Sequence, residues 1–250
     1  MPVVSRTAAL MLLIGCGSVK GTAPDAGGLP MDAAPDDTSR SGDGLVAWYK
    51  LDSLVQTTAP DASGNADAVC ARATCPAATP NGRIDGAFLF NGVDQLLHVA
   101  STPSLKTTRA FTVAVWLNRP AGADNACVVN KSFGTNGDNS WQACVNAAGK
   151  LAFFSASSMS SDALLSGPVI AAAEWHHIAL WWNGTTKATY IDGQRTAQND
   201  AAISFDDSDI TIGADVDGST VVAPLKGELD DVRIYDRALS DAEIIALAAP

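Results

Sequence analysis

The chain has 250 residues, enough for one large domain or two small ones. Its net charge is −11, and no cluster of lysine or arginine occurs anywhere, so a polyanion such as nucleic acid is repelled and excluded as a partner. Short Val/Ile/Leu-rich runs broken by Asn-Gly and Asp-Gly turns favour an all-β domain over a helical one.

The chain opens with "MPVVSRTAALMLLIGC": one arginine, an apolar run from Ala8 to Ile14, then Gly15 and Cys16. The run is too short to span a bilayer as a mature helix and has the layout of an export signal. Leu13-Ile14-Gly15-Cys16 resembles the lipobox of bacterial lipoproteins. That resemblance implies a signal peptide over residues 1–15 and a diacylated Cys16 as the mature N-terminus. It also implies an exported protein held in the bacterial cell envelope, touching the membrane through its lipid anchor alone. Gly17, where aspartate would signal retention at the inner membrane, points to the outer one. Residues 16–44 are rich in Gly, Ala, Pro and Asp and nearly free of large apolar side chains, so they cannot bury enough surface to fold. They read as a tether with a root-mean-square reach of roughly 30 Å.

From Leu45 onward eleven strand signals follow one another: "LVAWYKL", "GAFLFNG", "QLLHVA", "AFTVAVWLN", "ACVVNK", "WQACVN", "KLAFFS", "EWHHIALWW", "KATYIDG", "DITIGA" and "GELDDVRIY". Strands joined by short turns, with no βαβ unit or repeat, indicate a two-sheet antiparallel sandwich over residues 45–250. One short helix closes the chain. Ser240 followed by Glu243 is a capping box, and Ile244, Ile245, Leu247 and Ala248 give the helix a buried stripe expected to lie over a sheet edge or corner.

With Cys16 set aside, Cys70, Cys75, Cys127 and Cys144 remain, and four cysteines allow three pairings. "VVNKSFGTNGDNSWQACV" reads as a hairpin turning near Thr135–Asn136. That register sets Cys127 opposite Cys144 and Val129 opposite Gln142, leaving Cys70 to pair with Cys75 across "CARATC". Zinc ligation by the four thiolates would call for two close Cys pairs, which are lacking.

Taken together, "GAFLFNGVDQLLHV", "FTVAVWLN", "EWHHIALWWNG", "YIDG", "ITIGA" and "GELDDVRIYDRALSDAEI" resemble, in order, a laminin-G-like, concanavalin A-like lectin/glucanase jelly roll. "DASGN" near the start fits as well. The resemblance covers Leu45 to Leu247 and implies a jelly-roll sandwich. It does not choose among the lectins, adhesion modules, calcium-dependent binders and hydrolases that use this fold.

Retaining glucanases of this fold resemble E-x-D-x-x-E on one strand, and their mechanism needs two carboxyl groups about 5–5.5 Å apart. Glu228 and Asp230 begin that pattern, but Arg233 stands in the place of the general acid and Val232 precedes it. A period of two puts Glu228, Asp230, Val232 and Ile234 on one face and Asp231, Arg233 and Tyr235 on the other. Asp230 is then expected at the edge of an apolar face, as a structural carboxylate needing donors or a metal. His176 and His177 point to opposite faces and cannot share a metal, and His98 is isolated in a strand. No catalytic residue is assigned, and the chain is expected not to be an enzyme.

Calcium is the expected cofactor, in a structural role. "PDASGNADA" offers oxygens at Asp61, Ser63, Asn65 and Asp67, and related sandwiches hold an ion between such a loop and the final strand. Asp61, Asn65 and Asp230 are therefore one candidate ligand set, and an Asx-turn without metal is the equal alternative. Asp215 and Asp217 form a weaker candidate. For ligand contact, Phe111, Val113, Val115 and Leu117 alternate inward and leave Trp116 on the opposite face. Trp181 likewise opposes Trp182, and Trp141 borders a polar loop. Trp116, Trp141 and Trp181 are thus the expected ligand-binding residues. The reading as a whole is a monomeric surface module binding a carbohydrate or surface glycoconjugate, with a protein adhesion module second and an orphan polysaccharide hydrolase third.

Overall fold

A computed structural model describes residues 43–133, 138–157 and 161–249. The signal segment, Cys16, most of the tether and the turn at Thr135–Asn136 lie outside the described residues. The first strands are β1 (Leu45–Tyr49), β2 (Thr58–Ala59), β3 (Ala68–Val69), β4 (Ala77–Thr79), β5 (Ala87–Asn91) and β6 (Leu97–Val99). Next come β7 (Phe111–Asn118), β8 (Ala126–Phe133), β9 (Asp138–Val145), β10 (Leu151–Ala156), β11 (Ser161–Leu165) and β12 (Trp175–Trp182). The last are β13 (Thr186–Ile191), β14 (Gln194–Asp200), β15 (Ile210–Ile212), β16 (Asp215–Asp217), β17 (Thr220–Val222) and β18 (Lys226–Tyr235), followed by helix α1 (Asp241–Leu247).

Two antiparallel sheets form the sandwich. Sheet A runs β14-β13-β12-β7-β18-β5-β4, with β1 also paired to β18; sheet B runs β11-β10-β9-β8-β15-β6-β3-β2. The hairpin β16-β17 stands apart. Alternation along each strand builds the core between the sheets. Phe111, Val113, Val115 and Leu117 of β7 face inward, as do Ile178, Leu180 and Trp182 of β12 and Trp141, Ala143 and Val145 of β9. Phe111 is the hub of an aromatic cluster, with ring centroids 5.4 Å from Trp141, 5.8 Å from Trp182 and 6.0 Å from Phe153.

Disulfides join Cys127 to Cys144 and Cys70 to Cys75. Cys127 does stand opposite Cys144, but Val129 pairs with Ala143 and Asn130 with Gln142, because β8 is irregular between Cys127 and Val129. One extra residue there shifts the next three pairs by one, and a second irregularity between Lys131 and Ser132 restores the register. The Ser240 hydroxyl accepts the Glu243 N–H, and the Glu243 carboxylate accepts the Ser240 N–H, closing the capping box. Helix α1 lies against β14, the edge strand of sheet A, as expected. It lays Ile244 and Leu247 on Tyr190, Tyr235, Ala179 and Ala188, on the outer face of sheet A. Burying those two side chains contributes roughly 1.5–3 kcal/mol each.

The final strand departs from simple alternation. Asp231 has φ of 52°, and the pairing of β18 with β7 is irregular between Asp230 and Arg233. This bulge lies where β18 exchanges its partner β5 for β1. Leu229 therefore faces the core before it, and Val232 and Ile234 face the core after it. Asp230 shares the outer face with Glu228 and Arg233, so the expected grouping with Val232 and Ile234 is corrected: the extra residue resets the phase of the strand.

Candidate functional site

The outer face of sheet A is largely covered. Trp181 lies there, as alternation requires, but its indole N–H donates to Leu239 O and the Arg195 guanidinium sits 5.1 Å from its ring centroid. Trp116 is also on this face and is only 3% exposed. The Arg83 guanidinium covers it at 4.7 Å, and His177 packs edge-on at 5.3 Å. Burial pushes the His177 pKa down to about 3, so its ring is neutral. Trp141 is 1% exposed and belongs to the core. Its parity is that of Ala143 and Val145, which outweighs its nearness to a polar loop. Trp116 and Trp141 present no free ring face to a ligand, and Trp181 is partly buried with Arg195 over its ring.

Asp230 lies beneath the loop Gly82–Gly86 and is fully buried. One carboxylate oxygen accepts the Ile84 N–H at 2.7 Å, while the other has no partner. Burial, with the charges of Asp231 and Asp52 behind it, pushes the pKa up to about 7. Gly82 makes this packing feasible, since a Cβ there would lie 1.9 Å from Gly86 O and 2.9 Å from Asp230 Oδ2. Asp61 is held by different partners. It accepts the N–H groups of Trp48, Ser63, Asn65 and Ala66 and the Ser63 hydroxyl, all at 2.8–3.0 Å. The Asn65 amide nitrogen donates to Val46 O. A carboxylate so filled with donors suits the metal-free turn and not a cation, whereas one oxygen of Asp230 is left without a partner. Among the described residues no three His, Cys, Asp or Glu side chains gather as a metal site.

Glu228 is fixed by Asn118 and Thr79 and borders an open groove of about 520 Å³, lined also by Leu89, Pro120 and Lys226. Asp230 does not line that groove. Arg233 turns away, bonding Asp231 and stacking 4.3 Å over Trp48, whose indole N–H also donates to Asp231. Asp231, which pattern reading passed over, thus anchors the two chain-terminal strands β1 and β18.

The outer face of sheet B is different. Cross-strand register places Val69, His98, Thr211, Asn130, Gln142, Phe154 and Ala163 in one row across six neighbouring strand pairs. Near the centre, Asn130 and Thr211 are tied to Ala214 O at 2.8 Å each. Asp215, at the start of the β16-β17 hairpin, accepts from Gln142 at 2.6 Å and from Asn139 at 3.0 Å. Asp215 is therefore occupied by amide donors. Beside these oriented amides Phe154 is 40% exposed. A groove of about 370 Å³ lies here, lined by Asn139, Gln142, Phe154, Ser161, Asp162 and Ala163. An exposed aromatic ring next to fixed amides and carboxylates offers a stacking surface and directed hydrogen bonds to one ligand. The signal was available in "KLAFFS": with Leu151 and Phe153 inward, Phe154 must face out.

The family model described as the concanavalin A-like lectin/glucanases superfamily matches residues 91–245, and the chain belongs to that family. No curated protein sequence matches it. Among solved structures it is similar to the binding domain of Paraclostridial Mosquitocidal Protein 1, with TM-score 0.66 and 18% identity, over 82% of this chain and 52% of that one. It is similar to domain 4 of AbnA, a GH43 extracellular arabinanase from Geobacillus stearothermophilus solved with arabinotriose, with TM-score 0.64 and 18% identity, over 82% and 98% of the two chains. Trypanosoma rangeli sialidase in complex with sialic acid gives TM-score 0.66 at 16% identity, over 83% of this chain and 33% of the sialidase. The chain spans about half of the first of these proteins and a third of the sialidase. At such identities the likeness is one of fold.

Proposed function

We propose that the protein is a non-catalytic binding module for carbohydrate or a surface glycoconjugate, and that the outer face of sheet B makes the contact. The observation that carries this reading is Phe154, exposed beside the amides that Asp215 holds in place. A sugar ring would stack its C–H face on Phe154 and direct hydroxyls to Gln142, Asn139 and Asp162. The arabinanase domain solved with arabinotriose supports the choice of ligand class. The binding domain of Paraclostridial Mosquitocidal Protein 1 supports binding over turnover. The absence of an acid at position 233 and the burial of Asp230 away from the Glu228 groove support a non-catalytic role. A protein ligand on the same face is the second reading, favoured by exposed Leu165 on edge strand β11, two residues along from Ala163, the partner of Phe154.

The same proposal places the module at the bacterial envelope, lipidated at Cys16 and carried on residues 16–44. A structural calcium ion belongs to it as well, at the unpartnered oxygen of Asp230. A glycan array followed by calorimetry tests the function. Binding is expected for the wild type, with at least a tenfold loss in Phe154→Ala and no change in Trp116→Phe. Glycan binding that Phe154→Ala leaves intact would move the site elsewhere. No glycan binding beside capture of a protein ligand would favour the second reading.

A further inference from the structure

At the rim of the sandwich three side chains from three strands meet on one oxygen. Lys187 is on β13 and Asn199 on the neighbouring β14, and register sets the two directly opposite each other in sheet A. Asp162 comes from β11, the edge strand of sheet B. Its Oδ2 accepts the Lys187 ammonium at 2.9 Å and the Asn199 side-chain N–H at 2.7 Å.

The lysine is unusual for an ion pair at a sheet edge. Its side chain is 0% exposed, with Nζ 5.1 Å from the Phe153 ring centroid. Its Nζ also donates to Phe153 O, Ser155 Oγ and Asp162 O, and burial depresses its pKa while Asp162 holds it up. The Asn199 carbonyl oxygen is buried too and has no hydrogen-bond partner. A shielded amine, a carboxamide whose carbonyl oxygen is unpartnered and a carboxylate touching both nitrogens are the components of an amide exchange. Holding the groups together replaces a bimolecular encounter by an intramolecular one.

We propose that Lys187 and Asn199 become joined by an isopeptide bond between their side chains, with Asp162 as the proton carrier. Asp162 takes a proton from the Lys187 ammonium, and the freed amine attacks Cγ of Asn199. The Nζ–Cγ bond forms and the Cγ–Nδ2 bond breaks. Asp162 hands the leaving nitrogen the two protons that Lys187 gives up in turn, so that one ammonium ion departs. The reaction conserves charge and uses no oxidant, reductant or cofactor. Its product ties β13 covalently to β14 at the edge where sheet A meets sheet B.

Tryptic peptide mapping of the full-length wild-type protein tests this directly. Acylated Lys187 resists trypsin, so peptide 151–195 should appear uncut at Lys187 and joined to peptide 196–226. The joined species should be lighter than the two peptides by one ammonia, and fragmentation should place the bond at Lys187 and Asn199. Asp162→Ala and Asn199→Ser should each restore cleavage after Lys187. Quantitative recovery of a free, unmodified peptide 188–195 from folded wild-type protein would overturn the proposal. A joined pair that persists in Asp162→Ala would overturn the role given to Asp162.

Discussion

Replacing Asp230 by asparagine removes a negative charge from a fully buried position while keeping an oxygen to accept the Ile84 N–H. The folded-state pKa of Asp230 is raised from 3.8 to about 7. A carboxyl raised in this way favours the folded state at low pH. That contribution is fully present below about pH 4 and is lost as the pH rises to about 7. At about 1.4 kcal/mol per pH unit the loss is about 4 kcal/mol. Asparagine does not titrate, so in metal-free buffer at pH 8 the variant should be the more stable by roughly 2–4 kcal/mol after the weaker hydrogen bond is discounted. For a domain of this size that is a rise in Tm of roughly 5–15 °C. Calcium should close most of that gap, since an ion on the folded state at 100 times its Kd would add about 2.7 kcal/mol to the wild type and nothing to the variant. The assay is thermal and urea unfolding of both proteins from pH 4 to 8, in EDTA and in calcium. Equal pH slopes for the two proteins in EDTA would refute the burial argument. Equal responses to calcium would remove the ion from Asp230.

Breaking the Cys127–Cys144 link by double serine substitution should cost about 3 kcal/mol in urea unfolding, as expected for its 17-residue separation. The Ser240→Ala variant loses the cap of α1 and should be destabilised by about 1 kcal/mol. Arg237 holds the Glu243 pKa down to about 2, so the contribution of that pair is present above the ordinary glutamate range and fades as the pH falls toward 2. The fading should be visible in acid unfolding of the wild type and absent in Glu243→Gln. In whole cells Cys16→Ser should abolish labelling by a fatty-acid analogue and shift the protein from the membrane to the soluble fraction.

The sandwich and its long strands were legible because period-two alternation is strong in runs such as "AFTVAVWLN" and "EWHHIALWW". Seven strands were not read, and each lacks such a run. β2, β3, β4, β16 and β17 are two or three residues long, while the edge strands β11 and β14 bury little. The bulges at Val128 and Asp231 were invisible for a different reason. A bulge is a property of two paired strands, and a single strand read alone shows only its own alternation. Alternation alone therefore puts Asp230 on the wrong face and Gln142 opposite the wrong residue. At the candidate site the tryptophans drew attention by size, although Trp116 is under Arg83 and Trp141 is in the core. Phe154 was one step of parity away. Asp215 drew attention as a possible calcium ligand, but its partners Asn139 and Gln142 lie more than seventy positions earlier, and only the fold brings them together.

The pairing of β1 with β18 has a mechanical consequence. Antiparallel ladder bonds run perpendicular to the strands, and β1 enters the domain along its own axis from Asp43 and Gly44. A pull transmitted through the preceding chain would load the β1–β18 bonds in shear, so that they share the force and do not open one after another. The buried indole of Trp48, bonded to Asp231 and stacked on Arg233, acts as a peg across that seam. Under such a pull the first element to yield should lie elsewhere in the fold.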